Sequence, residues 1–231
     1  MKHLLILLTL LIPLFGKAQN HTSSNKSKFS VGANFSPNYS NYHMSEPDSK
    51  DFNGIDWNAA FGFNTGMSAR FTLLKKWEIE IGIQYSRQAW GFKNLDIVTE
   101  TIETIGTGNV QYRFNYIEAP LRVNYHFIDK KIFCYVTAGA SFNQFLDAKT
   151  KVWNNYYSGE EEVVKEDLET IGYNKSVVAL LGGFGVGYHF NNKLSLRFEP
   201  LFRYSLTPLL DGPIERHNYS IGGQFGLNFQ V

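Results

Sequence analysis

Tyr219-Ser220-Ile221-Gly222-Gly223-Gln224-Phe225-Gly226-Leu227-Asn228-Phe229-Gln230-Val231 alternates with period two. Tyr219, Ile221, Phe225, Leu227, Phe229 and Val231 share one face with Gly223. Ser220, Gln224, Asn228 and Gln230 share the other with Gly222 and Gly226. An extended strand sends successive side chains to opposite faces, so this stretch specifies one long, two-faced strand. Two environments produce such a strand. In a soluble sheet the apolar face packs on a core and the polar face meets water. In a membrane barrel the apolar face meets lipid and the polar face lines the lumen.

Working outward from this stretch, the pattern recurs seven times. Residues 194–206 set Leu194, Leu196, Phe198, Phe202 and Tyr204 against Ser195, Arg197, Glu199, Arg203 and Ser205. Residues 177–190 set Val178, Leu180, Phe184, Val186 and Tyr188 against Gly183, Gly185, Gly187 and His189. Further strands are read at 115–127, 77–86, 59–73 and 29–36, and a less regular one from 132 to about 146, where Phe133 and Tyr135 share a face with Thr137, Ser141 and Asn143. Three connections are short: 74–76, 128–131 and 191–193. Four are long: 37–57, 91–110, 148–175 and 208–216. Within the second long connection, Gly106-Thr107-Gly108-Asn109 reads as the turn of an extended hairpin. Strict alternation of long and short connections fits an up-and-down outer-membrane barrel, with short turns on the periplasmic side and longer loops outside. Strands of this length exceed the roughly 5–6 residues usual in soluble sheets. Trp77, Tyr125, Phe127, Tyr188 and Phe190, all near short turns, match an interfacial aromatic girdle. The expected fold is all-β, an eight-stranded antiparallel up-and-down transmembrane β-barrel with a filled polar lumen.

The start of the chain points to export. Lys2 and His3 precede an apolar run over residues 4–15, followed by Gly16-Lys17-Ala18-Gln19. This reads as a signal peptide over residues 1–18. Residues 19–28 are polar and expected to be disordered, and 29–231 form the barrel domain. Lys2 and Lys17 leave with the leader, so 22 basic residues become 20 against 21 acidic ones. That balance gives no reason to expect nucleic-acid binding. The mean hydropathy of −0.24 is compatible with strands that are only half apolar. Cys134 is the single cysteine, so it has no internal disulfide partner and reads as a small strand residue.

Parity places eight charged residues on the inner face: Arg70, Glu78, Glu80, Glu118, Arg122, Arg197, Glu199 and Arg203. An eight-stranded barrel is just wide enough inside for side chains to fill it. Buried charges must pair, so these residues read as a structural salt-bridge network; an ion or proton path is the sharper alternative. His126 and His189 also face inward, on strands separated by a third, and no metal site is expected from them. Ser220, His217, Glu215 and Asp211 crowd one outer region, the one place where a hydrolytic constellation could be sought. Residues 160–169 carry Glu160, Glu161, Glu162, Glu166, Asp167 and Glu169 without calcium-loop spacing, and read as a solvated acidic loop.

Tyr116-Ile117-Glu118-Ala119-Pro120-Leu121, followed by Tyr125-His126-Phe127, resembles the Tyr-Ile-Glu-x-Pro-Leu…Tyr-x-Phe strand of PorT-type small outer-membrane barrels, a group also described as porin-family barrel domains. Gly187-Tyr188-His189-Phe190 and Arg203-Tyr204-Ser205-Leu206-Thr207 are similar to the same group. Its usual terminal aromatic is displaced here to Phe229, still on the lipid face. The founding member is tied to assembly of a protein secretion system, so the resemblance implies envelope or secretion-system partners.

The expected function is therefore structural or interactive: outer-membrane lipid around the barrel, loops presented outward, both termini periplasmic, and no cofactor, metal or catalysis. A narrow channel for small solutes is the alternative, and an outer-membrane lipid-modifying enzyme the third. Pro120 and Pro200 lie mid-strand in a barrel without free edges, so each is expected to interrupt the ladder locally.

Overall fold

Among the described residues the period-two pattern is realised as nine antiparallel strands. They are β1 (Phe29–Met44), β2 (Trp57–Leu74), β3 (Trp77–Val98), β4 (Thr104–Asp129), β5 (Ile132–Tyr156), β6 (Glu161–Asp167), β7 (Ser176–His189), β8 (Leu194–Ser205) and β9 (Arg216–Gln230). The computed structural model describes residues 29–44, 57–99, 103–168, 172–209 and 215–231. The expected leader and the segment 19–28 lie outside the described residues. Strand order is β4-β3-β2-β1-β9-β8-β7-β5, and pairing of β4 with β5 closes a ring of eight. β6 pairs only with β5 and stands outside the ring.

Three connections differ from the sequence reading. β1 does not stop at Ser36 but continues through Pro37 to Met44, because Asn38, Ser40 and Tyr42 go on pointing inward. β3 runs to Val98 and β4 begins at Thr104, so 106–109 lies within β4 and is not its turn: Gly106 pairs with both Ile97 and Tyr156, and a glycine between two backbones packs where a Cβ would collide. The acidic stretch after Ala148 is largely strand, with β5 running to Tyr156 and β6 returning along it.

Prolines leave missing rungs, not bulges. The β3–β4 register passes from Ile81↔Leu121 to Gln84↔Glu118 with no rung at Pro120. β7–β8 does the same between Gly183↔Leu201 and Val186↔Phe198, beside Pro200. β1–β9 repeats it between Phe35↔Phe225 and Asn38↔Gly222, beside Pro37. Three residues on one strand match three on the other each time, so register is kept. On its other side each proline remains in register, opposite Phe63, Ser141 or Gly223. A proline lacks one donor, and one donor serves one neighbour.

Outside, the barrel is apolar over its full circumference; Met67 is 71% and Ile221 63% exposed to the surroundings. Such a belt is far larger than the apolar patches of water-soluble monomers. On β4 the belt runs from Phe127 to Ile117, ten residues or roughly 33 Å along the strand, which a tilt near 40° reduces to about 25 Å. At the short-turn end Trp77 packs against Tyr125 with the rings tilted (4.9 Å), and Lys131 lies over Tyr188 (5.3 Å). At the opposite rim the apolar face gives way to a polar knot. Tyr85 Oη donates to Asn115 Oδ1 (2.6 Å), Asn115 Nδ2 donates to Asp147 Oδ1 (2.7 Å), and the Arg87 guanidinium lies over Phe63 (5.2 Å).

Candidate functional site

The inner face of the ring is narrow and charged. All eight ionisable residues that parity places inward are buried: Arg70, Glu78, Glu80, Glu118, Arg122, Arg197, Glu199 and Arg203. Four arginines face four glutamates, so the interior is neutral overall. Glu78 and Glu80 come from β3, Glu118 and Arg122 from β4, Arg70 from β2, and Arg197, Glu199 and Arg203 from β8. β3 and β8 lie on opposite sides of the ring, so contacts between them cross the lumen.

Two such ties span the interior. Arg197 donates to both oxygens of Glu78, Nη1 to Oε1 at 2.8 Å and Nη2 to Oε2 at 3.0 Å. Arg122 bridges two acids, donating through Nη1 to Glu199 Oε1 (2.6 Å) and through Nη2 to Glu80 Oε1. Glu80 also receives Arg70 Nε (2.8 Å) and Nη2 (3.2 Å). Such paired, charge-assisted bonds are the geometry that a desolvated ion pair needs. Glu118 stands higher in the barrel, accepting from Asn64 Nδ2 at 2.6 Å, with Arg203 Nε looser at 3.7 Å. Glu118 and Arg122 are not joined to each other; each finds its partner on another strand.

Several members escaped the sequence reading. Asn124 donates to Glu78 (2.9 Å) and Glu80 (3.2 Å), and Asn64 holds Glu118. Both asparagines sit at inward parity, which was the available signal. Tyr135 is harder to find. Its hydroxyl donates to Glu199 Oε2 (2.7 Å), and Arg197 lies over its ring at 4.9 Å. A tyrosine on a face otherwise marked as polar gives the sequence no direction. The register supplies it: Tyr135 is paired with Gly185 and Phe133 with Gly187, and a Cβ at either glycine would meet the ring. The glycine face of β7 is thus the recess into which the inward aromatics of β5 fold.

Above the ions, the interior at the long-hairpin end is filled by apolar side chains. Trp90 stacks on Phe114 (4.5 Å), with Tyr42, Tyr116, Val177 and Leu209 buried around them. Below the ions, at the short-turn end, a cavity of about 400 Å³ reaches inward as far as Glu78 and Arg197. His126 and His189 border it. His126 stacks on Tyr135 (5.2 Å) and stands 3.8 Å from Glu78; His189 packs on Phe133 (4.5 Å) and stands 4.0 Å from Asp129. Among the described residues no group of three His, Cys, Asp or Glu side chains is arranged to hold a metal.

The outer-region constellation does not assemble. His217 stacks on the outward Tyr204 (6.0 Å) and meets Glu215 at 3.2 Å, whereas Ser220 is buried on the inner face. Serine and histidine therefore point to opposite sides of β9, and Asp211 lies outside the described residues.

A lipid-facing ring of eight strands around a charged, filled interior has a counterpart among known families. The outer membrane protein beta-barrel domain family matches residues 17–211. The chain belongs to that family, and its place is the bacterial outer membrane. Solved structures with a similar course include Neisserial surface protein A, at 14% identity and a TM-score of 0.43, covering 90% of this chain and all of that one. OprG from Pseudomonas aeruginosa matches at 11% identity and a TM-score of 0.44, covering 90% and 99%. The outer membrane protease OmpT from Escherichia coli matches at 8% and 0.40, covering 92% and 99%. A search of curated proteins returns no match to this chain.

Proposed function

We propose that this protein is a closed, non-catalytic outer-membrane barrel whose role is structural or interactive. Its long hairpins face outward, both termini are periplasmic, and a leader over residues 1–18 is removed on export. The observation that carries this reading is the double crosslink through the lumen, Arg197–Glu78 and Arg122–Glu199, roofed by the Trp90–Phe114 stack. Ions tied across a neutral interior leave no continuous aqueous path, and the apolar roof closes the other end. The cavity at the short-turn end stops at the ion pairs and fits a blind vestibule. The resemblance of the 116–127 strand to PorT-type barrels supports envelope or secretion-system proteins as partners.

Planar-bilayer recording tests the closed lumen. The wild-type protein is expected to give no steady conductance, whereas Arg122→Ala with Arg197→Ala, which cuts both ties, is expected to give brief openings at most, because the aromatic roof remains. A stable open level in the wild type would replace this reading with that of a narrow channel.

A further inference from the structure

Four basic side chains gather on the outward face of the long-hairpin end, across three strands. Arg113 on β4 stands directly opposite Lys149 on β5, and Lys151 on β5 stands directly opposite Lys165 on β6. Like charges placed opposite one another in an antiparallel pair destabilise the sheet. Here two such pairs lie side by side, one step of the pleat apart. With strands about 4.8 Å apart and alternate residues about 7 Å apart, the four stems rise from a patch roughly 10 Å across.

The contacts fix the face. Arg113 donates twice to Gln111 Oε1 (2.8 and 3.1 Å), which holds its guanidinium in place without neutralising it. Lys151 lies over the Trp153 ring at 4.2 Å. Lys149 reaches Asp167 at 3.8 Å, the one acid paired into the patch among the described residues. The acids of β6 divide evenly between its faces, Glu161 and Asp167 on that of Lys165 and Glu162 and Glu166 on the other, while the three lysines all share the outward face.

Height selects the ligand. Arg113 is the second outward residue beyond Ile117, where the apolar belt ends, and Lys149 and Lys151 continue upward on the neighbouring strand. The patch stands in the headgroup layer, on the side wall and not at the hairpin tip. Below it Ile117, Leu121 and Phe142 expose apolar surface on the same wall, along which acyl chains can lie. A soluble polyanion would leave that surface unused. We propose that Arg113, Lys149, Lys151 and Lys165 form a lateral site for the phosphate groups of an outer-leaflet lipid. This rests on the outward placement of the long hairpins; the test below is read on purified protein and does not depend on it.

Native mass spectrometry of the refolded full chain in zwitterionic micelles, titrated with diphosphorylated or dephosphorylated lipid A, tests the site. Each basic group near a phosphate layer contributes about fivefold in affinity. The diphosphorylated lipid is expected to bind at least tenfold tighter than the dephosphorylated one. Lys151→Gln with Lys165→Gln is expected to weaken it by about 25-fold, and Asp167→Asn to strengthen it. Lys75→Gln, at a turn on the far end, is expected to change nothing. Equal binding of the two lipids, an unchanged affinity in the double variant, or equally tight capture of soluble inorganic polyphosphate would overturn the proposal. The first two results would remove the phosphate site, and the third would assign the patch to a soluble anion. Because Asp167→Asn acts by gain, a folding defect in the double variant leaves the site testable.

Discussion

Arg122 shows what a single side chain does inside this barrel. It holds Glu80 from its own side of the ring and Glu199 from across it, and it is buried. Truncation would leave two acids short of a cation in a site water does not reach. Losing one member of such a buried set costs about 3–5 kcal/mol. Arg122→Ala is therefore expected to lower the melting midpoint markedly, followed by heat-modifiable gel migration, while Lys193→Ala in a short turn leaves it unchanged; equal midpoints would mean a hydrated lumen. Gly185 is the complementary case, where the absence of a side chain matters. A Cβ there would collide with the Tyr135 ring, whose hydroxyl is tied to Glu199. Overpacking of this kind costs about 1–3 kcal/mol. Gly185→Ala is expected to destabilise the wild type more than it destabilises a Tyr135→Ala background. A double-mutant cycle of melting midpoints measures that difference, and additive effects would show that ring and glycine are independent.

At the scale of elements, the hairpins divide into those that make the ring and those that only extend it. β6 pairs with β5 alone, through Lys149↔Asp167 to Asn155↔Glu161. Replacing residues 150–166 by an Asn-Gly turn, which suits a two-residue hairpin, is expected to leave heat-modifiable migration intact, because ring closure by β4 and β5 continues below Lys149. Loss of that migration would show that the extension takes part in folding the barrel. The prolines are a second lesson in elements. Pro37, Pro120 and Pro200 interrupt one ladder each and leave the other in register, so the ring stays closed around them. Proline chemistry predicts an interruption at Pro120 and Pro200. That each gap is a lost rung and not a bulge depends on the neighbouring strand, which one segment of sequence does not describe.

The whole molecule is organised along its axis: aromatic girdle and blind cavity at the short-turn end, ion pairs in the middle, aromatic roof and long hairpins at the other end. The proposed orientation rests on this asymmetry, because the longer connections of such barrels face outward. With Cys134 replaced by Ala, Ser158→Cys at the tip beyond β5 is expected to react with a membrane-impermeant maleimide on intact cells, and the purified protein to have a mass beginning at Gln19. Labelling only after lysis would reverse the orientation, and a mass that includes residues 1–18 would remove the leader.

Alternation alone determined the strand count of the ring, the apolar outer face and the inward parity of the eight charges, because the side-chain period of a strand is local and one face had to be lipid-compatible. Glu118 and Arg122 were separable for the same reason: four residues along a strand place them about 13 Å apart. Which acid meets which arginine was decided only by closure. Arg197 finds Glu78 across 119 positions of chain and Arg122 finds Glu199 across 77, distances at which sequence carries parity but no partner. The same holds for Tyr135, whose direction depends on the glycines of β7, and for 106–109, where pairing of Gly106 on both sides carried the strand through the residues that read as a turn. Local periodicity fixes faces; the curvature and register of the closed ring fix neighbours, and the neighbours decide which charges pair.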